Sequence, residues 1–267
     1  MIGLVALLMA LTAAAFSATP VARDVPYGND PLQRFDVYAP PNVYHAPVIF
    51  MVHGGGWRRG DKAMSRMVDN KVAYWVSRGY VFISVNYRLN AGALAEAKDV
   101  AHALSVVQQR AGEWGGDGSK VIVMGHSAGA HLVALVAVTT TAPVIGSVIL
   151  DSGALDVPQI MQSRHLPFYD DAFGSDPASM ACGVAVSPRD EEDRAVLVVC
   201  SSRRRTSCSQ SHAFVNRLTN LGTRASVLEE NLSHREINEQ LGEPSRYTAA
   251  VDAFLTSLSP RRPRSRT

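Results

Sequence analysis

Charge is scarce in this chain of 267 residues. Lysine, arginine, aspartate and glutamate make up only 19% of it, and 26 basic residues against 24 acidic ones leave a formal net charge of +2. A nucleic-acid-binding domain carries a basic stripe to meet phosphates, and none runs through the body of this sequence. The small surplus gathers instead in Arg261, Arg262, Arg264 and Arg266 of the final SPRRPRSRT. Residues 259–267 have no apolar side chain to bury and read as a solvated basic tail. Cysteine is scarce too: Cys182, Cys200 and Cys208 fit no metal-ligand spacing, so no zinc site is expected. Long apolar runs are confined to the opening MIGLVALLMALTAAAFSATP, which is short beside the ~20 apolar residues of a membrane span. No stable membrane insertion of the mature chain is therefore expected. That opening run ends in small residues, with Ala15-Phe16-Ser17 resembling a cleavage site, and residues 1–17 read as a signal peptide. No lysine or arginine precedes Arg23, so an uncleaved anchor or a misplaced start is the alternative. Export to the periplasm or medium would follow from the first reading, and a cytoplasmic location from its failure. In an exported chain Cys200 and Cys208 could close a small disulfide loop and leave Cys182 unpaired; buried free thiols are the other reading.

What is present is the 46% hydrophobic content of a globular protein, enough to exclude a disordered chain. The length suits one large domain, here residues 24–258, with no repeat and no linker. Short β-branched runs alternate with longer amphipathic stretches, the pattern of a mostly parallel sheet covered by helices, an α/β fold. QRFDVY (33–38) alternates like a half-buried edge strand, and VIFMV (48–52) reads as a buried one. A helix over Met64–Ser77, the strand YVFISVNY and a helix over Leu94–Arg110 follow. VIVM (121–124) then runs through GHSAG straight into the apolar helix AHLVALVAV. The strand VIGSVIL ends at Leu150, and residues 156–194 lack clean periodicity and read as a cap-like insertion over the site. AVLVVC (195–200), a helix over Gln210–Leu221, the strand ASVLEE and a helix over Tyr247–Leu258 complete the domain.

Gly125-His126-Ser127-Ala128-Gly129 matches G-x-S-x-G, whose two glycines permit a tight strand-to-helix turn that projects the serine outward. The turn sets Ser127 at a helix N-terminus, where free N–H groups and the helix dipole favour developing negative charge. Upstream, His53-Gly54-Gly55-Gly56-Trp57 follows directly on VIFMV, and its glycines let backbone amides approach a substrate oxygen. The amides of Gly55, Gly56 and Ala128 are the candidate oxyanion hole.

HGGGW, NYRL (86–89) and GHSAGAH together resemble the esterase/lipase branch of the α/β-hydrolase superfamily, over about Asp24 to Leu258. Within that branch the chain is similar to the hormone-sensitive-lipase-like carboxylesterases and to small bacterial hydrolases related to feruloyl esterases and kynurenine formamidases. The resemblance implies an α/β-hydrolase fold with helices on both faces of the sheet. It also implies cleavage of an ester or amide of a small molecule through an acyl-enzyme on Ser127, without metal or organic cofactor. The order serine, acid, histidine places the base late, after the last strand, where His234 stands. Of the other histidines, His53 belongs to the glycine loop and His126 and His131 flank the turn, while His45, His102, His165 and His212 lie elsewhere.

The acid departs from the family pattern. Members usually carry an aspartate shortly after the strand matching VLVVC, and here Ser201 to Ser207 reads SSRRRTS, with no carboxylate. Asp151, at the end of VIGSVIL, ranks first; Asp156 follows, then Glu229 or Glu230, and a dyad without acid stays open. The Arg203–Arg205 run is either a solvated loop or a fork for a substrate carboxylate. Trp57 and Tyr87 read as packing residues near the site, and Phe168, Tyr169 and Phe173 as the lining of an acyl pocket. The leading function is hydrolysis of a small or medium acyl ester. A formamidase or amidase reaction on the same apparatus is the alternative, and an impaired binding protein of this fold is the reading from a different class. Nothing here sets an oligomeric state.

Overall fold

The structure is a computed structural model that describes residues 19–139, 144–174 and 194–258. The expected leader, Cys182, the basic tail and residues 175–193 of the insertion lie outside the described residues. One eight-stranded sheet organises what is described. Its strands are β1 (Ala22–Pro26), β2 (Arg34–Tyr38), β3 (Ala46–Val52), β4 (Val81–Val85), β5 (Gly116–His126), β6 (Gly146–Leu150), β7 (Ala195–Ser201) and β8 (Arg224–Glu230). They lie in the order β1-β2-β4-β3-β5-β6-β7-β8, with β3 to β8 all parallel and β2 antiparallel to both its neighbours.

Strands buried on both faces need apolar residues at every position, and the alternation of β3 shows where each goes. Val48, Phe50 and Val52 enter one core with α2 (Ala93–Arg110), α3 (Ala128–Thr139) and α6 (Ser207–Asn220). Ile49 and Met51 enter the opposite core with α1 (Ser65–Val76), α7 (His234–Glu239) and α8 (Arg246–Thr256). Two short helices, α4 (Val157–Met161) and α5 (Pro167–Phe173), open the insertion.

Two expectations shift. Residues 34–38 are not an edge strand, because β1 pairs on their outer side; Asp36 is fully buried there and is held by Lys62 Nζ at 2.9 Å. The histidine expected on a loop after β8 instead opens a helix: the loop is only residues 231–233, Ser233 caps α7 in a capping box with Glu236, and His234 is the first helical residue. Cys200 and Cys208 are joined as a disulfide, one of the two readings of that pair.

Candidate active site

All the parallel strands deliver their C-terminal ends to one rim, and the candidate residues meet there. β5 stops at His126 and α3 starts at Ala128, leaving Ser127 alone in the bend at φ 57°, a left-handed conformation that costs a non-glycine residue free energy. The bend is clamped on both sides, Ser127 N donating to Leu150 O at 3.1 Å and His131 N to Ser127 O at 3.2 Å. The flanking glycines are demanded by contact. A Cβ on Gly125 would stand 2.4 Å from Gly129 O, and one on Gly129 would stand 2.3 Å from Val52 O. The turn is thus pressed against the end of β3, and Ser127 Oγ has only the cleft to enter.

The glycine loop leaves β3 and lies directly on this turn, since a Cβ on Gly54 would come within 2.8 Å of His126 O and 2.9 Å of Ser127 Cβ. Gly55 and Gly56 take φ values of 130° and 63°. Tyr87 braces the loop from behind: its hydroxyl donates to His53 O at 3.0 Å and its ring stacks on the His53 imidazole at 4.5 Å. His53 Nδ1 donates to Gly54 O at 2.8 Å, and burial lowers the pKa of that imidazole and keeps it neutral. Asn86 adds a bond to Lys62 N at 2.6 Å, and Asn90 N donates to Trp57 O at 2.8 Å. Tyr87 of the NYRL segment, with Asn90 just beyond it, therefore holds the glycine loop in shape. Gly55, Gly56 and Ala128 line the same cleft as Ser127, about 1100 Å³ in volume.

His234 reaches Ser127 from the N-terminus of α7. Its Nε2 lies 2.9 Å from Ser127 Oγ and its Nδ1 2.6 Å from Asp151 Oδ2. A carboxylate only accepts, so Nδ1 carries the proton and Nε2 is left to accept from the serine hydroxyl. His126 supports the ring, lying tilted by 34° against it with centroids 4.5 Å apart and donating from Nε2 to His234 O at 2.9 Å. Burial, and then the neighbouring His234, push the His126 pKa down to about 3, so it stays neutral.

Asp151 follows β6 at φ 46° and is fully buried. Its Oδ1 accepts from Ser201 N at 3.0 Å and from the Ser207 hydroxyl, and its Oδ2 accepts from His234 and from Arg204 Nη1 at 2.9 Å. Burial alone would raise its pKa. The bond from His234, the Arg204 charge, the Ser207 hydroxyl and the Ser201 amide outweigh burial and hold the carboxyl well below the usual range. Arg204 Nη1 also stands 3.3 Å from His234 Nδ1; with that nitrogen already donating, this is two donors crowding one carboxylate oxygen.

The structure thus brings Ser127, His234 and Asp151 together, with Gly55, Gly56 and Ala128 around them. It does not bring the other acids: Asp156 caps α4 by accepting from Gln159 N, and Glu229 pairs with His212 at the exposed edge of the sheet. Glu230 is half-buried at the end of β8. Trp57 and Tyr87 are buried as expected. Phe168 and Tyr169 line the cleft, but Phe173 does not; it lies beneath, 5.0 Å from the Trp57 ring and 5.2 Å from that of His131. Of the arginine run, Arg203 turns outward to Asn231 and Glu236, and Arg204 enters the cleft. Arg204, Ser201, Ser207 and His126 are the supporting residues that motif reading misses. Among the described residues no group of three or more His, Cys, Asp or Glu could hold a metal ion, and no helix is long and apolar enough to cross a membrane.

Comparison with known proteins places this geometry. Residues 35–157 match the BD-FAE family model. The chain is 34% identical over 122 residues to a probable isoprenylcysteine alpha-carbonyl methylesterase ICME of Oryza sativa subsp. japonica, a stretch that is 45% of this chain and 29% of the relative. It is 31% identical over 134 residues to esterase LipQ of Mycobacterium tuberculosis, covering 46% of this chain and 30% of that one. The match thus spans less than a third of the length of these relatives. Solved structures agree in fold over nearly the whole chain. A truncated carbohydrate esterase from gut microbiota superposes with a TM-score of 0.74 at 18% identity, covering 92% of this chain and 99% of the other. Thermogutta terrifontis esterase 2, phosphonylated by sarin, gives 0.72 at 18% identity, covering 95% and 100%. The single mostly parallel sheet and these superpositions show an α/β-hydrolase fold, and over its first half the chain is similar to the BD-FAE family and to named esterases.

Proposed function

We propose that the protein is a serine-dependent carboxylic ester hydrolase, acting on a small or medium acyl ester through an acyl-enzyme on Ser127. The single observation that carries this reading is the unbroken chain Ser127 Oγ to His234 Nε2 at 2.9 Å and His234 Nδ1 to Asp151 Oδ2 at 2.6 Å. Ser127 Oγ attacks the ester carbonyl carbon as His234 Nε2 takes its proton. Asp151 holds the imidazole in the required tautomer and stabilises the imidazolium that forms. The carbonyl oxygen, now anionic, is met by the amides of Gly55, Gly56 and Ala128, each such donor being worth about 2.7–4 kcal/mol in the transition state. The tetrahedral intermediate collapses, His234 returns the proton to the departing alcohol, and the acyl group stays on Ser127. Water then repeats the sequence against the acyl-enzyme and frees the acid and Ser127.

The names of the relatives, a methylesterase and an esterase, support an ester as substrate. The reading as an impaired binding protein rested on a missing acid, and the 2.6 Å approach of Asp151 Oδ2 to His234 Nδ1 supports a complete triad instead. Residues 156–174 supply Phe168 and Tyr169 to one wall of the cleft, which supports a cap over the acyl group. The Cys200–Cys208 disulfide supports an oxidising compartment, and so the export suggested by residues 1–17. The test is hydrolysis of an activated short-chain aryl ester by wild type beside Ser127→Ala and His234→Ala. Loss of about 10⁴-fold or more in kcat for each variant is expected; variants that match wild type would sink the proposal.

A further inference from the structure

Around the candidate nucleophile the scarcity of charge reverses. Five guanidinium groups, those of Arg58, Arg59, Arg66, Arg204 and Arg235, line the cleft of Ser127, against the single carboxylate of Glu239. In a chain with a formal net charge of +2, that concentration on one surface is not background. Nor is it cancelled by partners. Arg66 and Arg235 share Glu239 at 4.0 and 2.7 Å, Arg58 faces Asp171 at 3.5 Å, and Arg204 pairs with Asp151 at 2.9 Å. Arg59 has no ion-pair partner among the described residues. Three carboxylates thus serve four of the five cations, and the Asp151 charge is also committed to His234.

Arg204 is the member of this set built into the site. Its Nη1 is spent on Asp151 Oδ2 and on Asp151 O at 3.1 Å. Nε and Nη2, which form the other edge of the guanidinium fork, have no partner among the described residues. Nη2 occupies the place beside Gly153 where a Cβ would stand only 2.5 Å away, so the absence of a side chain at 153 makes its room. The side chain is 32% exposed, less than the 53%, 55% and 73% of Arg58, Arg66 and Arg235, so water screens its charge least. From Nη1 to the reacting oxygen there are only a 3.3 Å approach, one imidazole ring and a 2.9 Å hydrogen bond. A few carbons of a small substrate span that gap.

We propose that the substrate is an ester that carries a carboxylate of its own, held by the free Nε and Nη2 edge of Arg204 in a field reinforced by Arg59. This deepens the ester hydrolase reading and rests on it. A planar guanidinium edge matches two carboxylate oxygens through parallel N–H bonds. The same fork keeps its other nitrogen on Asp151, so the arginine links substrate charge to the catalytic acid's position. The competing role, neutralising Asp151 and nothing more, predicts no dependence on substrate charge.

The experiment compares matched pairs that differ only in that charge. One pair places it on the alcohol side, the butyrate ester of 4-hydroxybenzoate against that of methyl 4-hydroxybenzoate; the other places it on the acyl side, monophenyl adipate against phenyl hexanoate. Wild type, Arg204→Gln, Arg204→Lys, Arg59→Gln and Ser127→Ala are assayed on all four at low and high salt. Wild type is expected to favour the charged member of at least one pair by about tenfold or more in kcat/KM, mainly through KM. Arg204→Gln collapses that ratio, Arg204→Lys keeps part of it, and Arg59→Gln narrows it, as added salt does. A ratio within one variant is indifferent to any loss of activity caused through Asp151, which falls on both members alike. Equal kcat/KM within both pairs in wild type, or a preference untouched by all three arginine variants, overturns the inference and leaves the hydrolase reading standing. Wild type no faster than Ser127→Ala on every ester overturns the hydrolase reading and this inference with it.

Discussion

The two halves of the candidate site are held by different means. On the nucleophile side, the turn at Ser127 and the glycine loop are fixed by backbone pressing on backbone, with Gly129 against Val52 O and Gly54 against His126 O. On the acid side, Asp151 is fixed by donors from Ser201, Ser207, Arg204 and His234, mostly side chains, arriving from two separate stretches of sequence. Backbone contact tolerates almost no substitution and so leaves a motif. A cradle of hydrogen bonds can be assembled from many residue types, and leaves none.

The largest effect expected from breaking this contrast lies on the acid side. Asp151→Asn keeps the size of the side chain but offers His234 Nδ1 an amide that can donate, which favours the wrong tautomer; kcat should fall by about 10⁴-fold with the fold retained. Steady-state kinetics beside a circular dichroism spectrum check it, and near-normal kcat would move the acid elsewhere. Next comes Gly54→Ala on the nucleophile side. The added methyl must push the glycine loop off the turn, and losing the alignment of one oxyanion donor should cost about 10²–10³-fold in kcat with little change in KM. A third variant tests whether the acid's cradle depends on its cross-link. Replacing both Cys200 and Cys208, by alanine and serine, should lower stability by about 2–3 kcal/mol on a chain-entropy account of so short a loop. Denaturant titration reads the stability, and an accompanying loss of activity several-fold larger than that seen in Gly54→Ala would reverse the ranking.

The smallest effect concerns Lys71, buried beneath α7 and bonded to Asn238 O at 2.5 Å and Asn238 Oδ1 at 3.0 Å. Burial pushes its pKa down to about 7. Between that value and the ~10.4 of an unfolded lysine, the unfolded chain binds the extra proton, so this group makes stability rise with pH across that window. Lys71→Met should flatten the rise in a series of thermal melts, while a slope unchanged by the substitution would show that the ammonium keeps its proton when folded.

Legibility in the sequence followed the same divide. VIVM-GHSAG-AHLVALVAV spelled out strand, turn and helix without a gap, because a buried parallel strand and an apolar helix leave no freedom between them. Asp151 could be ranked only by its place after VIGSVIL, since nothing adjacent to it in sequence marks a catalytic acid. Its partners Ser201, Arg204 and Ser207 sit 50 or more residues away and meet it only through the pairing of β6 with β7. The start of α7 was readable in principle from Ser233 and Glu236, a capping-box spacing just before a short helix. β1 was not, because its burial alternates too weakly to distinguish five edge residues from a loop.

The neighbouring ends of β6 and β7 both come within reach of one imidazole nitrogen, His234 Nδ1, through Asp151 from the first and Arg204 from the second. Both positions are set by the pairing of β6 with β7 rather than by a long loop of their own. Two strand ends lying side by side thus present groups of opposite charge to one ring atom, and exchanging which of them carries the carboxylate asks for no rearrangement of the scaffold.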